Sequence, residues 1–166
     1  MNGLTPALAD NLVPLPARIA CLDGVRYLGA ASFEEEGVEL LGLSCLIPAG
    51  FPSPALEYAE ERLDIGRRLV RNPATTFFAR ADGDSMNRAG ILSNAILIVE
   101  RGVDARDGDI VIAEVSGEFT VKRLRRRGGR LRLEPESDDP RYRAIEPGEG
   151  EAVTIWGVVK SVVNEF

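Results

Sequence analysis

The chain contains no histidine, and only two of its 20 basic residues, Lys122 and Lys160, are lysines. The first absence excludes every catalytic arrangement built on an imidazole, the Ser-His-Asp triad foremost. The second makes each lysine conspicuous, because arginine supplies nearly all the positive charge. Cysteine is as scarce: Cys21 and Cys45 make no disulfide framework and read as small buried hydrophobes. No apolar run approaches the roughly 20 residues of a membrane span. No basic N-terminus precedes an apolar stretch, as a secretory leader requires. These absences predict a soluble, cytoplasmic protein with no membrane partner. No cofactor and no metal site is expected.

What is present suits one domain with a short appended segment: 166 residues, 45% of them hydrophobic. The net charge of −6 argues against a generic nucleic-acid binder. That charge is uneven. Residues 1–49 hold six acids and two bases, net −4, and residues 50–166 hold 20 acids and 18 bases, net −2. Pro6, Pro14 and Pro16 prevent a long helix near the start. Within the first segment, Arg26 to Phe33 and Val38 to Leu46 read as short strands around the solvated turn Glu34-Glu35-Glu36-Gly37, with no helix-turn-helix pattern. Ile47 to Pro52 is irregular and punctuated by proline and glycine. Ser53 then suits an N-cap and Pro54 a first helical position. Leu56, Ala59 and Leu63 share a helical face, with a further short turn at Ile65 to Val70 ended by Asn72-Pro73.

From Thr75 onward the pattern is short strands separated by turn signals, which predicts a β-rich body. The strands are Thr76–Arg80, Ile96–Val99, Ile110–Val115, Glu118–Leu124, Leu131–Glu134 and Val153–Val163. Ser116-Gly117 has the length and type of a two-residue hairpin turn, and Gly128-Gly129 makes another. The arginines at 123, 125, 126, 127 and 130 flank that second turn and read as a solvated face, with contact to an acidic partner left open.

Two residues stand out as chemistry. Ser85 lies in the turn Gly83-Asp84-Ser85-Met86, and Lys122 lies on the strand that returns from Ser116-Gly117. Without histidine, a serine nucleophile needs another base. A lysine serves if burial disfavours its ammonium form, whereas arginine stays charged and cannot serve. Alternation along Glu118–Leu124 puts Thr120, Lys122 and Leu124 on one face. That face is not purely apolar, so it permits a buried Lys122 without requiring one. Taken alone, Gly-Asp-Ser is a common turn sequence.

Several separate blocks in order resemble the UmuD/LexA family of self-cleaving, S24-like Ser-Lys peptidases. They are Ala49-Gly50-Phe51-Pro52-Ser53-Pro54-Ala55, Gly83-Asp84-Ser85-Met86, the Ile-Leu-Ile-Val run at 96–99, Asp107-Gly108-Asp109-Ile110-Val111 and Gly117 to Leu124. The resemblance spans about residues 47–166 and is closer to the UmuD branch, because no DNA-binding motif precedes it. It implies a compact, mostly antiparallel β-clip-like peptidase domain with a flexible N-terminal arm. The implied division is an arm over 1–49, removed on self-cleavage, a short helical linker over 50–74 and the peptidase body over 75–166. It implies Ser85 as nucleophile, Lys122 as general base, a cut between Ala49 and Gly50, and an oxyanion hole at the backbone N–H groups of Asp84 and Ser85. The spacings, 122 − 85 = 37 and 85 − 49 = 36, fit that pattern. The implied partners are a second copy in a homodimer, a RecA filament on single-stranded DNA that stimulates cleavage, and a UmuC-type DNA polymerase in translesion synthesis. No direct sequence-specific DNA binding is implied. Two other readings stay open: a non-enzymatic module of the same fold that regulates a polymerase, and a Ser-Lys protease or repressor fragment acting on other targets.

Overall fold

Two tight turns set the pairing of the strands that carry the candidate site. The computed structural model describes residues 25–30, 40–43, 60–148 and 151–166. At Ser116-Gly117 both residues take positive φ, 52° and 86°, as do Gly128 and Gly129 at 57° and 79°. This is the geometry whose twist matches a two-residue hairpin. The first turn joins β6 (Ile110–Val115) to β7 (Glu118–Arg127), and the second joins β7 to β8 (Arg130–Glu134). β1 (Val25–Ala30), β4 (Thr76–Ala81), β5 (Ile96–Glu100) and β9 (Val153–Val163) complete an antiparallel sheet of seven strands, in the order β1-β4-β5-β9-β6-β7-β8. The remaining pair, β2 (Leu40–Leu43) and β3 (Glu60–Leu63), forms a small antiparallel ladder of its own. The fold is mainly β, as the strand-and-turn pattern predicts.

β9 holds the centre of the sheet because it can bend. Its register slips once against β6, between Ile112 and Ala113, and once against β5, between Ile98 and Val99. Such bulges increase local twist. A Cβ on Gly157 would lie 2.6 Å from Val99 Cγ1, so only glycine lets β9 approach β5 this closely. The sheet is strongly coiled: β1, at one edge, comes within 8 Å of β7 near the other. Apolar side chains therefore collect on both faces of the central strands. One cluster joins Leu97, Val99, Ile112, Phe119 and Val121 with Met86 and Ile91. Trp156 meets the rings of Phe77 and Phe119 edge-on, at centroid distances of 5.8 and 6.3 Å. The second cluster joins Val111, Ala113, Leu124, Leu133 and Val158.

The structure departs from the sequence reading around residue 60. The helical periodicity of Leu56, Ala59 and Leu63 predicts a helix through Leu63, yet Glu60–Leu63 is strand, paired with β2 from Leu40↔Leu63 to Leu43↔Glu60. A partner strand distant in sequence overrides a local period that rests on three residues. The proposed Ser53-Pro54 cap lies outside the described residues. The helix of this region is α1 (Ile65–Leu69), capped by Asp64, whose Oδ1 accepts the Arg67 N–H at 2.9 Å. No helix among the described residues is long and apolar enough to cross a membrane.

Candidate active site

Lys122 sits near the middle of β7, where residues 119–122 are all buried. Its backbone pairs with Val111 of β6, and its side chain is 2% exposed. The coiled sheet covers both faces of β7, and that removes the head group from water. Nζ lies 2.9 Å from Ser85 Oγ, 2.8 Å from Thr120 Oγ1 and 3.1 Å from the Val121 carbonyl oxygen. An ammonium meets these three oxygens with three N–H donors. A neutral amine meets them equally well, donating to Thr120 and Val121 and accepting the Ser85 hydroxyl proton on its lone pair. The arrangement accommodates both protonation states of a base.

Ser85 is held from both sides along its loop. Gly83 has φ 96°, and its N–H reaches Ser93 Oγ at 3.3 Å. Met86, 2% exposed, is plugged into the first apolar cluster, and its carbonyl accepts the Ala89 and Ile91 N–H groups at 3.0 and 3.2 Å. Between these anchors the Ser85 carbonyl accepts the Glu136 N–H at 2.9 Å, and the Glu136 carbonyl accepts the Arg88 N–H at the same distance. Ser85 itself is 6% exposed.

Glu136 also reaches the strand that carries Lys122. Arg123, next in sequence to Lys122, donates from Nε to Glu136 Oε1 at 2.9 Å and from Nη2 to Oε2 at 2.8 Å, while its Nη1 donates to the Gly108 carbonyl at 2.8 Å. One residue thus ties the serine loop by its backbone and the lysine strand by its side chain. The hydrogen bonds from Arg123 hold the Glu136 carboxyl below the usual carboxylate range, and the same pairing raises the guanidinium further. Glu136→Gln is expected to lower stability at neutral pH by about 1 kcal/mol, the scale of a half-exposed charge-assisted pair. Because the folded pKa is depressed, the contribution is full above the unfolded pKa and fades as pH falls through the folded one. Urea unfolding of both proteins should therefore differ at pH 7 and converge in acid.

The oxyanion donors and the cut site complete the expected set. The Asp84 N–H meets the Tyr142 hydroxyl at 3.4 Å, so one of the two expected oxyanion donors faces a phenol oxygen. Tyr142, with Lys122, Thr120, Phe119 and Ile145, lines a cleft of about 410 Å³ that leads to the lysine. The Ala49-Gly50 bond lies outside the described residues. Thr120, Glu136 and Tyr142 did not come out of the sequence as site residues. Thr120 was legible in principle, two positions before Lys122 on the same strand face. Glu136 and Tyr142 come from the loop after β8, which only the tertiary fold brings here.

This β architecture, with a buried serine and lysine in contact, has the form of a peptidase domain, and comparison with known families agrees. Residues 40–160 match the Peptidase S24-like family, and the chain belongs to it, the family of UmuD and LexA. The chain is 51% identical to Protein ImpA of Salmonella typhimurium over 116 residues, which cover 70% of this chain and 77% of ImpA. It is 42% identical to Protein MucA of Escherichia coli over 113 residues, covering 68% and 76%. LexA repressor 1 of Geobacter sulfurreducens is 35% identical over 175 residues, covering 95% and 86%.

Proposed function

We propose that this chain is a self-cleaving Ser-Lys peptidase of SOS mutagenesis that cuts itself between Ala49 and Gly50. The observation that carries the reading is the 2.9 Å contact of Lys122 Nζ with Ser85 Oγ inside a buried site of a chain that has no histidine. Neutral Lys122 takes the Ser85 hydroxyl proton as Oγ attacks the Ala49 carbonyl carbon. The backbone N–H groups of Asp84 and Ser85 receive the developing oxyanion, the carbonyl oxygen displacing Tyr142 from Asp84. Preorganised donors of this kind stabilise the intermediate by about 3–4 kcal/mol each. The C–N bond breaks, and Lys122 gives its proton to the Gly50 nitrogen. Water, deprotonated by Lys122, then hydrolyses the ester on Ser85. Thr120 keeps Nζ aimed at Oγ throughout.

The substrate is part of the same chain, so docking the segment around residue 49 sets a high effective concentration. Control then lies in docking. A RecA filament on single-stranded DNA favours the docked state, and the product, residues 50–166, acts as a homodimer with a UmuC-type DNA polymerase in translesion synthesis. The division into an arm, 1–49, and a retained body belongs to the same reading. The decisive measurement is intact mass after incubation at neutral and alkaline pH, where fragments 1–49 and 50–166 are expected. An intact chain under both conditions, with and without RecA, would instead favour a non-enzymatic module that regulates a polymerase.

The cut site is testable without touching the serine or lysine. Ala49→Trp places a large ring at the carbonyl to be attacked, and Gly50→Pro fixes φ and removes the N–H of the leaving residue. Each is expected to slow cleavage at least about 100-fold, the cost of misplacing the reacting atoms. Normal processing of both variants would place the cut elsewhere.

A further inference from the structure

We propose that the outer edge of β8, with the arginines of the β7–β8 hairpin, binds an extended acidic peptide of a partner protein as an added strand. The hairpin places Arg125 opposite Arg132 and Arg127 opposite Arg130, so four guanidinium groups share one face of two strands. Like charges directly opposed across a sheet are destabilising. The inner pair is compensated: Arg125 lies 3.5 Å from Glu134, and Arg132 lies 3.3 Å from both Glu134 and Glu146. The outer pair is not, since among the described residues neither Arg127 nor Arg130 has an acid within 4 Å, and both are exposed. In a chain whose net charge is −6, this is an uncompensated concentration of positive charge. The four arginines, with Leu131 and Pro147 among the lining residues, border a groove of about 570 Å³.

Beyond its bridge to Ile145, the outer edge of β8 makes no backbone hydrogen bond among the described residues. β8 is the last strand of the sheet. Leu133 uses its outward N–H and carbonyl in a bridge to Ile145, at 2.9 and 2.8 Å. By the two-residue period of a strand, the N–H and carbonyl of Leu131 face the same side. Opposite Leu131, the Arg126 N–H points away from β8 to Asp107 Oδ1 at 2.6 Å, so this pair exchanges no bonds across the hairpin. An extended peptide satisfies such an edge with main-chain hydrogen bonds, while alternate side chains meet the groove. Carboxylates at those positions match Arg127 and Arg130. A single-stranded nucleic acid fits less well, because among the described residues no aromatic side chain lines the groove to stack its bases.

The test uses the full chain and three fluorescein-labelled probes: an eight-residue peptide of alternating Glu and Val, its Lys-Val counterpart, and an oligothymidylate of eight nucleotides. Anisotropy titration at low salt is expected to show the Glu-Val peptide binding at least tenfold more tightly than either other probe. The double variant Arg127→Glu, Arg130→Glu should weaken it at least tenfold with unchanged thermal unfolding. Amide exchange at Leu131 should slow when the Glu-Val peptide is added to the wild-type chain. No binding of the Glu-Val peptide would overturn the proposal. So would oligothymidylate binding as tightly, which would make the groove a nucleic-acid site. Binding that leaves Leu131 exchange unchanged would overturn strand addition.

Discussion

Ser85→Ala is expected to leave the purified chain at full mass under every condition that cuts the wild type. Self-cleavage should fall by roughly 10⁴-fold or more, the scale seen when a nucleophile is removed while the rest of a site stays intact. Folding should survive, because the loop is anchored by Gly83, Met86 and the Glu136 backbone, none of which uses the hydroxyl. The loss therefore has to be catalytic. Thermal unfolding within a few degrees of wild type, together with an intact mass, is the expected pair of results. A fragment beginning at Gly50 from the Ser85→Ala protein would remove Ser85 from the mechanism.

Lys122 is expected to be as sensitive, and its two most informative substitutions fail for different reasons. Lys122→Arg keeps the charge and loses the lone pair, since guanidinium is not deprotonated in proteins. Lys122→Met keeps most of the volume and removes the buried amine, with thermal unfolding as the check that the chain still folds. Both should slow cleavage by about 10³-fold or more, within or above the range for a general base. If loss of the Lys122 proton limits the uncut chain, the wild-type rate should rise about tenfold per pH unit through the neutral and mildly alkaline range, while the ammonium form dominates. The sign comes from the chemistry, because only the neutral amine accepts the serine proton. RecA on single-stranded DNA should raise the neutral-pH rate and flatten this profile, by favouring the docked state in which the segment around residue 49 closes the cleft over the already buried lysine and disfavours its ammonium form further. A Lys122→Arg chain that cuts at near wild-type rate would dismiss lysine as the base. A flat profile without RecA would dismiss deprotonation as the limiting step.

Much of the body was legible because each strand is short and its ends are marked. Ile110–Val115 and Val153–Val163 match their sequence boundaries residue for residue, and the Ser116-Gly117 and Gly128-Gly129 turns lie where the dipeptides put them. β3 was not legible, since its partner lies about twenty residues upstream and no local signal announces it. Nor was the burial of Lys122. Alternation assigns a side chain to a face, but whether that face is covered depends on how far the whole sheet coils. The contact between Ser85 and Lys122 rests on the same global geometry. Glu136 and Tyr142 arrive from a loop whose path depends on where β8 ends, so composition pointed to neither.

The ladders made by β1 and β2 would outlast a cut at Ala49. Both strands precede residue 49, yet β1 is hydrogen-bonded to β4 and β2 to β3, both of which come after it. Breaking the peptide bond severs the chain without severing either ladder. The immediate product of such a cut would be a nicked molecule in which 1–49 is still a bound ligand of 50–166. Release becomes a second, separate step with its own rate, set by how fast two strands peel away. Gel or mass assays in denaturant would record the nick, whereas native mass or gel filtration would record the departure. Were the arm to leave, the edge of β4 from Phe77 to Ala81, until then occupied by β1, would become a vacant strand position. Whatever next occupies it competes directly with the arm for the same row of hydrogen bonds.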